Sequence, residues 1–175
     1  LKAHEALVQI LVEEEREREA TAAWKRLIEH YDPERHREKL VRAWQEVARL
    51  APDDPEPHSE LAELHLGAGD TAQAILTLEE LATQYLTQDQ PHRAIDVLQR
   101  ILEIDPECLE AHLELATTLA ITGDKKQAVE EYEKLAETLD RSGVIKASSN
   151  WEFLININEK IVELESVCQS GQRVM

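Results

Sequence analysis

Residues 58–86, HSELAELHLGAGDTAQAILTLEELATQYL, decide the fold. Leu61, Ala62 and His65 stand at helical spacing before Gly69-Asp70 interrupts the run. Apolar residues then resume at helical spacing with Ala74 and Leu78. Two amphipathic segments joined by so short a break form a helical hairpin. A helix with one apolar stripe cannot bury it alone, so the hairpin needs neighbours.

Working outward, the same pattern recurs. Trp24, Leu27, Ile28 and Tyr31 form a W-x2-L-x3-Y set. His58, Leu61, Ala62 and His65 follow about 34 residues later, the length of a helical-hairpin repeat. His112, Leu115, Ala116 and Leu119 make a third set. Each precedes a second half, at Leu40/Trp44, Ala74/Leu78 and Ala128/Tyr132, and Pro52 and Pro106 close two units. Small residues such as Ala74, Ala94 and Ala128 let paired helices approach, while Leu61, Leu78, Leu115 and Tyr132 fill the gaps. Stacked units then build one continuous core. No long window alternates strictly, so no strand is expected. The reading places helices near 2–31, 34–50, 57–67, 71–88, 91–104, 109–121, 125–139 and 150–168. Prolines 33, 52, 57, 91 and 106 lie near starts or after ends, as helix boundaries require. Asp54 and Asp89 are candidate caps.

Over residues 21–141 the chain resembles the tetratricopeptide repeat family, whose unit is a helix–turn–helix of about 34 residues. Gly69-Asp70 and Gly123-Asp124 stand at that family's inter-helix turn. The sequence departs from the family at Ile28, Ala62 and Ala116, where glycine is usual, and at Asp32-Pro33 in the first turn. The resemblance implies an all-α, right-handed helical-hairpin repeat solenoid that serves as an adaptor or scaffold for another protein. Self-assembly, or peptide sensing within a larger protein, is the alternative role.

The register is uneven. The step from Leu27 to Leu61 is one repeat long, but the step from Leu61 to Leu115 is much longer. The excess matches one helix and its loop. Segment 71–88 fits both halves of the motif, and its apolar set is wider than one stripe. The expected units are therefore about 21–54, 55–88, 75–108 and 109–142, with helix 71–88 shared by two of them. Residues 1–20 form an N-terminal helical extension, and 143–175 a capping helix and tail.

In the first helix Ala3, Ala6, Leu7, Ile10 and Leu11 form a stripe, followed by Glu13-Glu14-Glu15-Arg16-Glu17-Arg18-Glu19 without an apolar residue. Such a charged run is a solvated face or a bridge. The stripe needs a cover, and a homodimer through residues 1–12 would supply one. Near the other end, Ser148-Ser149-Asn150 offers capping chemistry before Leu154, Ile157, Ile161, Leu164 and Cys168 at helical spacing.

The net charge of -17 disfavours nucleic acid and anionic membranes and favours a basic partner. No apolar run is long enough to span a bilayer. Cys108 and Cys168 lack metal spacing and read as thiols of a cytoplasmic protein. Position 1 is Leu rather than Met, consistent with a piece of a longer protein. His58, His65 and His112 fall on repeat signature positions, where packing accounts for them. The zincin pattern, nucleophile elbow, P-loop and dinucleotide fingerprint are all missing. No cofactor, metal or enzymatic activity is expected.

In the resembled family the first helix of each unit lines the binding face. Carried over, the partner-binding positions are Lys25, Arg26 and Glu29, then Glu56, Ser59, Glu60 and Glu63. Glu79, Glu80 and Thr83 follow on the shared helix, and Glu110, Leu113, Glu114 and Thr117 on the last. Some family members clamp a terminal carboxylate with Lys, Arg and Asn. The glutamates here point instead to a protein or peptide ligand of basic character.

Overall fold

The computed structural model describes residues 2–142, 156, 157, 159–164 and 166. Among them every regular element is an α-helix. They run α1 (Lys2–Glu13), α2 (Glu17–Ile28), α3 (Arg37–Leu50), α4 (Glu56–Ala68), α5 (Thr71–Thr87), α6 (Pro91–Ile104), α7 (Leu109–Thr122) and α8 (Lys125–Ser142). The chain divides into two compact units, residues 1–84 and 85–175.

Four helix ends are closed by a residue in the left-handed region: Glu15 (φ 56°), Gly69 (φ 76°), Asp89 (φ 56°) and Gly123 (φ 96°). After each, the following N–H reaches back into the helix just ended. Arg16 donates to the Leu11 carbonyl at 3.0 Å, Asp70 to His65 at 3.0 Å, Gln90 to Tyr85 at 2.8 Å and Asp124 to Leu119 at 2.9 Å. This Schellman closure satisfies carbonyls that a helix end would leave bare.

The closures expose a longer register. Glu15, Gly69 and Gly123 are evenly spaced along the chain, and the step from Gly69 to Gly123 defines a long interval. Ala20, Ala74 and Ala128, all fully buried, keep that interval, as do Leu27, Leu81 and Leu135. Trp24, Leu78 and Tyr132 keep it too, and α3 is separated from α6 by the same step at both ends. The recurring block is thus three helices long. Asp89 falls about 34 residues before Gly123, so the single-repeat length is nested inside the longer one.

Among the described residues of the first unit, two apolar clusters stand out. Leu27, Tyr31 and Leu40 form one, and Trp44, Val47 and Leu61 the other, with Trp24, Ile28 and Leu64 packed against both. In the second unit Ala116, Tyr132, Leu135, Leu139 and Ile157 form a cluster, joined by Leu109, Leu113, Ala136, Ile161 and Leu164. Cys108 is buried at the start of α7. Trp151, Phe153, Leu154, Ile155, Cys168, the 148–150 caps and the tail lie outside the described residues.

Three local expectations change. The helix expected over 2–31 is two helices, because the chain closes at Glu15 inside a run with no apolar side chain to bury. Second, the α1 stripe is rotated: Val8 and Leu11 are buried, while Leu7 (48% exposed) and Ile10 (50%) face outward. Third, Asp89 ends α5 in left-handed geometry rather than capping α6, whose N-cap is Gln90. Asp54 does act locally, its Oδ1 accepting from the Glu56 N–H at 3.1 Å.

Candidate ligand groove

In the second unit a cleft of about 500 Å³ opens between the end of α5, the start of α6 and the outer face of α7. Leu86, Asp89, Pro91, Leu113, Glu114, Thr117, Thr118 and Ile121 line it. Ile121 is 78% exposed and Leu86 38% exposed, so two large aliphatic side chains of the cleft meet solvent. Each wall has a local cause. The left-handed turn at Asp89 carries the chain from Leu86 to Pro91, which occupies the first helical position of α6 and needs no N–H there. Leu113 packs against the core cluster. Thr117 is held by hydrogen bonds, donating to the Leu113 carbonyl at 2.8 Å and meeting the Tyr132 hydroxyl at 3.1 Å. Thr118 donates to the Glu114 carbonyl at 2.7 Å. Exposed apolar side chains with the exposed Asp89 carboxyl group, and the half-buried Glu114 beside them, suit an apolar anchor flanked by positive charge.

The sequence-expected positions divide between the two units. Leu113, Glu114 and Thr117 line the groove. Glu110 is exposed on the same helix. In the first unit Glu60, Glu63 and Glu80 are exposed, while Ser59 and Glu79 are half-buried. Glu29 is exposed at the end of α2, and Arg26 lines a separate cleft with α1. Lys25 serves the fold: its Nζ donates to Asp54 Oδ2 at 2.8 Å and also to Glu56 Oε2. That pairing ties α2 to the loop before α4. Burial pulls the Lys25 ammonium pKa down, but the bonds to Asp54 and Glu56 outweigh it and the net shift is upward. Burial pushes the Asp54 carboxyl up, yet Lys25, the Glu56 N–H and His58 bring it below its ordinary value. Leu86, Asp89, Pro91, Thr118 and Ile121 were not among the expected positions. The available signal was Ile121, an aliphatic residue off the α7 stripe just before Gly123-Asp124.

A second cleft in this unit, about 530 Å³, is lined by α6 (Gln99, Leu102, Glu103), α7 (His112, Leu115) and α8 (Glu131, Lys134). His112 is buried, with Nδ1 2.9 Å from Glu131 Oε2 and Nε2 3.1 Å from the Pro106 carbonyl. Packing and hydrogen bonding therefore occupy this signature histidine. Among the described residues no group of three or more His, Cys, Asp or Glu could hold a metal ion. None of the described helices is long and apolar enough to cross a membrane.

Residues 85–144 match the family model described as tetratricopeptide repeat. A comparison with curated proteins finds no match. Among solved structures, the apo form of RapI is 14% identical with a TM-score of 0.57; the match covers 93% of this chain and 47% of RapI. This chain therefore spans about half of RapI's length. A putative kinesin light chain with nearly identical TPR-like repeats, from Podospora anserina, is 14% identical over 97% of this chain and 96% of its own, TM-score 0.48. YrrB, described as a TPR protein with an unusual peptide-binding site, is 16% identical over 91% of this chain and 92% of its own, TM-score 0.35. The described helices and the RapI likeness give an all-α helical fold, within which residues 85–144 match the tetratricopeptide repeat.

Proposed function

We propose that this protein is a non-enzymatic, cytoplasmic adaptor that holds a short segment of another protein in the groove between α5, α6 and α7. The observation that carries the reading is the pairing of exposed Ile121 and Leu86 with the Asp89 and Glu114 carboxyl groups on one cleft. The bound segment presents one large apolar residue to Leu86, Leu113 and Ile121, with Lys or Arg on either side. The net charge of -17 draws such a segment in at long range, and Glu110 extends the acidic rim. YrrB, described as having a peptide-binding site, illustrates that a protein bearing such repeats can take a peptide. The repeat division belongs to the same reading, with α5 serving both the unit ending near 88 and the unit beginning near 75.

The test is fluorescence anisotropy with labelled peptides carrying one Leu or Phe flanked by lysines, compared with the same peptides flanked by glutamates. The lysine series binds saturably at low salt and weakens as salt rises. Ile121→Asp lowers affinity by about tenfold or more, equivalent to about 1.4 kcal/mol. Asp89→Asn with Glu114→Gln removes the preference for lysine. Equal binding of the two series, or no effect of Ile121→Asp, refutes the groove.

A further inference from the structure

The first unit carries a cleft of its own, of about 540 Å³. Three successive helices enclose it: residues of α1 and α3, with Trp24 of α2, make its lining. Buried Val8 and the half-buried Val12 and Trp24 are its apolar base. Trp24 also packs against both apolar clusters of this unit, which fixes its ring. Its Nε1 is shielded from solvent and has no hydrogen-bond partner among the described residues. A cleft of this size, with an aliphatic and aromatic base and a few polar groups around it, has the form of a small-molecule site.

The polar groups define the ligand's charge. Arg42 and Gln45 stand three residues apart on α3 and are neighbours on one face of the helix. Both are exposed and both line the cleft. The acid placed to neutralise Arg42 within its own helix is Glu46, one turn on. Arg49 holds Glu46 instead, its Nε and Nη2 donating to Oε2 at 3.1 and 2.8 Å. Among the described residues the Arg42 and Gln45 side chains make no hydrogen bond or ion pair. A guanidinium fork with an amide N–H beside it matches a carboxylate. From α1 come Gln9 and Glu13, both exposed. With Glu13 in the cleft and a net charge of -17 on the chain, a second negative charge on the ligand is repelled.

We propose that this cleft binds a small monocarboxylic acid with an apolar body. The carboxylate accepts from Arg42 and Gln45, and the apolar part covers Val8, Val12 and Trp24. The positions carried over from the resembled family lie elsewhere in this unit, at Lys25, Arg26 and Glu29 and on α4 and α5. The inference stands without the reading of the groove at Ile121.

The test is heteronuclear proton–nitrogen NMR of the full chain titrated with hydrocinnamate. The reporter is the Trp24 indole N–H, assigned through its loss in Trp24→Phe. Its signal shifts saturably with a Kd of about 0.1–1 mM, the affinity open to a ligand of about eleven heavy atoms. Hydrocinnamide, which lacks the charge, and phenylsuccinate, which carries two, each bind about tenfold more weakly or worse. Arg42→Ala costs a similar factor. So does Gln45→Glu, which sets a carboxylate of the chain's own beside Arg42 at an exposed helical position. Ile121→Asp leaves the shift unchanged, which separates the cleft from the groove. Four results overturn the proposal: no saturable shift up to about 10 mM hydrocinnamate; hydrocinnamide binding as tightly as the acid; unchanged affinity in Arg42→Ala; or a peptide with a free C-terminal phenylalanine binding about tenfold more tightly than hydrocinnamate, making a polypeptide end the occupant.

Discussion

The register makes Glu15 a test of backbone energetics. It holds φ 56° where Gly69 and Gly123 hold the equivalent places. A side chain in the left-handed region costs about 1–2 kcal/mol because Cβ crowds the following carbonyl oxygen. Glycine removes that strain but gives back about 0.5–1 kcal/mol through the freedom of the unfolded chain. Glu15→Gly therefore stabilises the fold by about 0.5–1 kcal/mol, raising Tm by roughly 1–4 °C for a chain of this length. Glu15 is exposed, so little packing is disturbed. The reverse change is cleaner still. A Cβ built on Gly123 meets nothing within 4 Å, so Gly123→Ala carries the same two backbone terms with signs reversed and destabilises by about 0.5–1 kcal/mol. Thermal and urea melts followed by far-UV circular dichroism measure both. A fall in Tm for Glu15→Gly, or a neutral Gly123→Ala, refutes the assignment of these residues to equivalent strained closures.

Three further outcomes follow. Leu135 is fully buried among Ala116, Tyr132, Leu139 and Ile157, so Leu135→Ala lowers stability by about 3–5 kcal/mol in urea titration. His112→Ala strips a partner from the mostly buried Glu131 carboxylate and the Pro106 carbonyl, lowering stability by about 1–3 kcal/mol, and His112→Gln recovers part of it in the same melts. Asp54 has a folded pKa below its ordinary 3.8, so its stabilisation is present above the unfolded value and disappears as pH falls through the folded one. Lys25, raised above 10.5, contributes below that value and loses its contribution as pH rises through the folded one. Lys25→Met thus lowers Tm at neutral pH, and the gap from the unaltered chain narrows as acid protonates Asp54; a gap constant down to pH 2 contradicts the pairing.

Helical class and most helix limits were legible in the sequence alone. Segment 91–104 became α6 with the same ends, because Pro91 opens a helix well and an unbroken apolar stripe follows. The small residues Ala74, Ala94 and Ala128 were readable for the same reason: side-chain size at a fixed period records where helices come close. Leu113, Glu114 and Thr117, named from the sequence, lie along one cleft on α7. Packing settled the rest. Periodicity says which residues share a face, not which neighbour covers it, so only docked helices could bury Val8 and Leu11 while leaving Leu7 and Ile10 outside. Propensity does not mark Glu15 or Asp89 as left-handed, since that geometry is imposed by the helices on either side. Lys25 meets Asp54 and Glu56 only once α2 and α4 are docked. The groove at Ile121 exists because the turn from Leu86 to Pro91 comes against the face of α7, and no local pattern encodes a surface made that way.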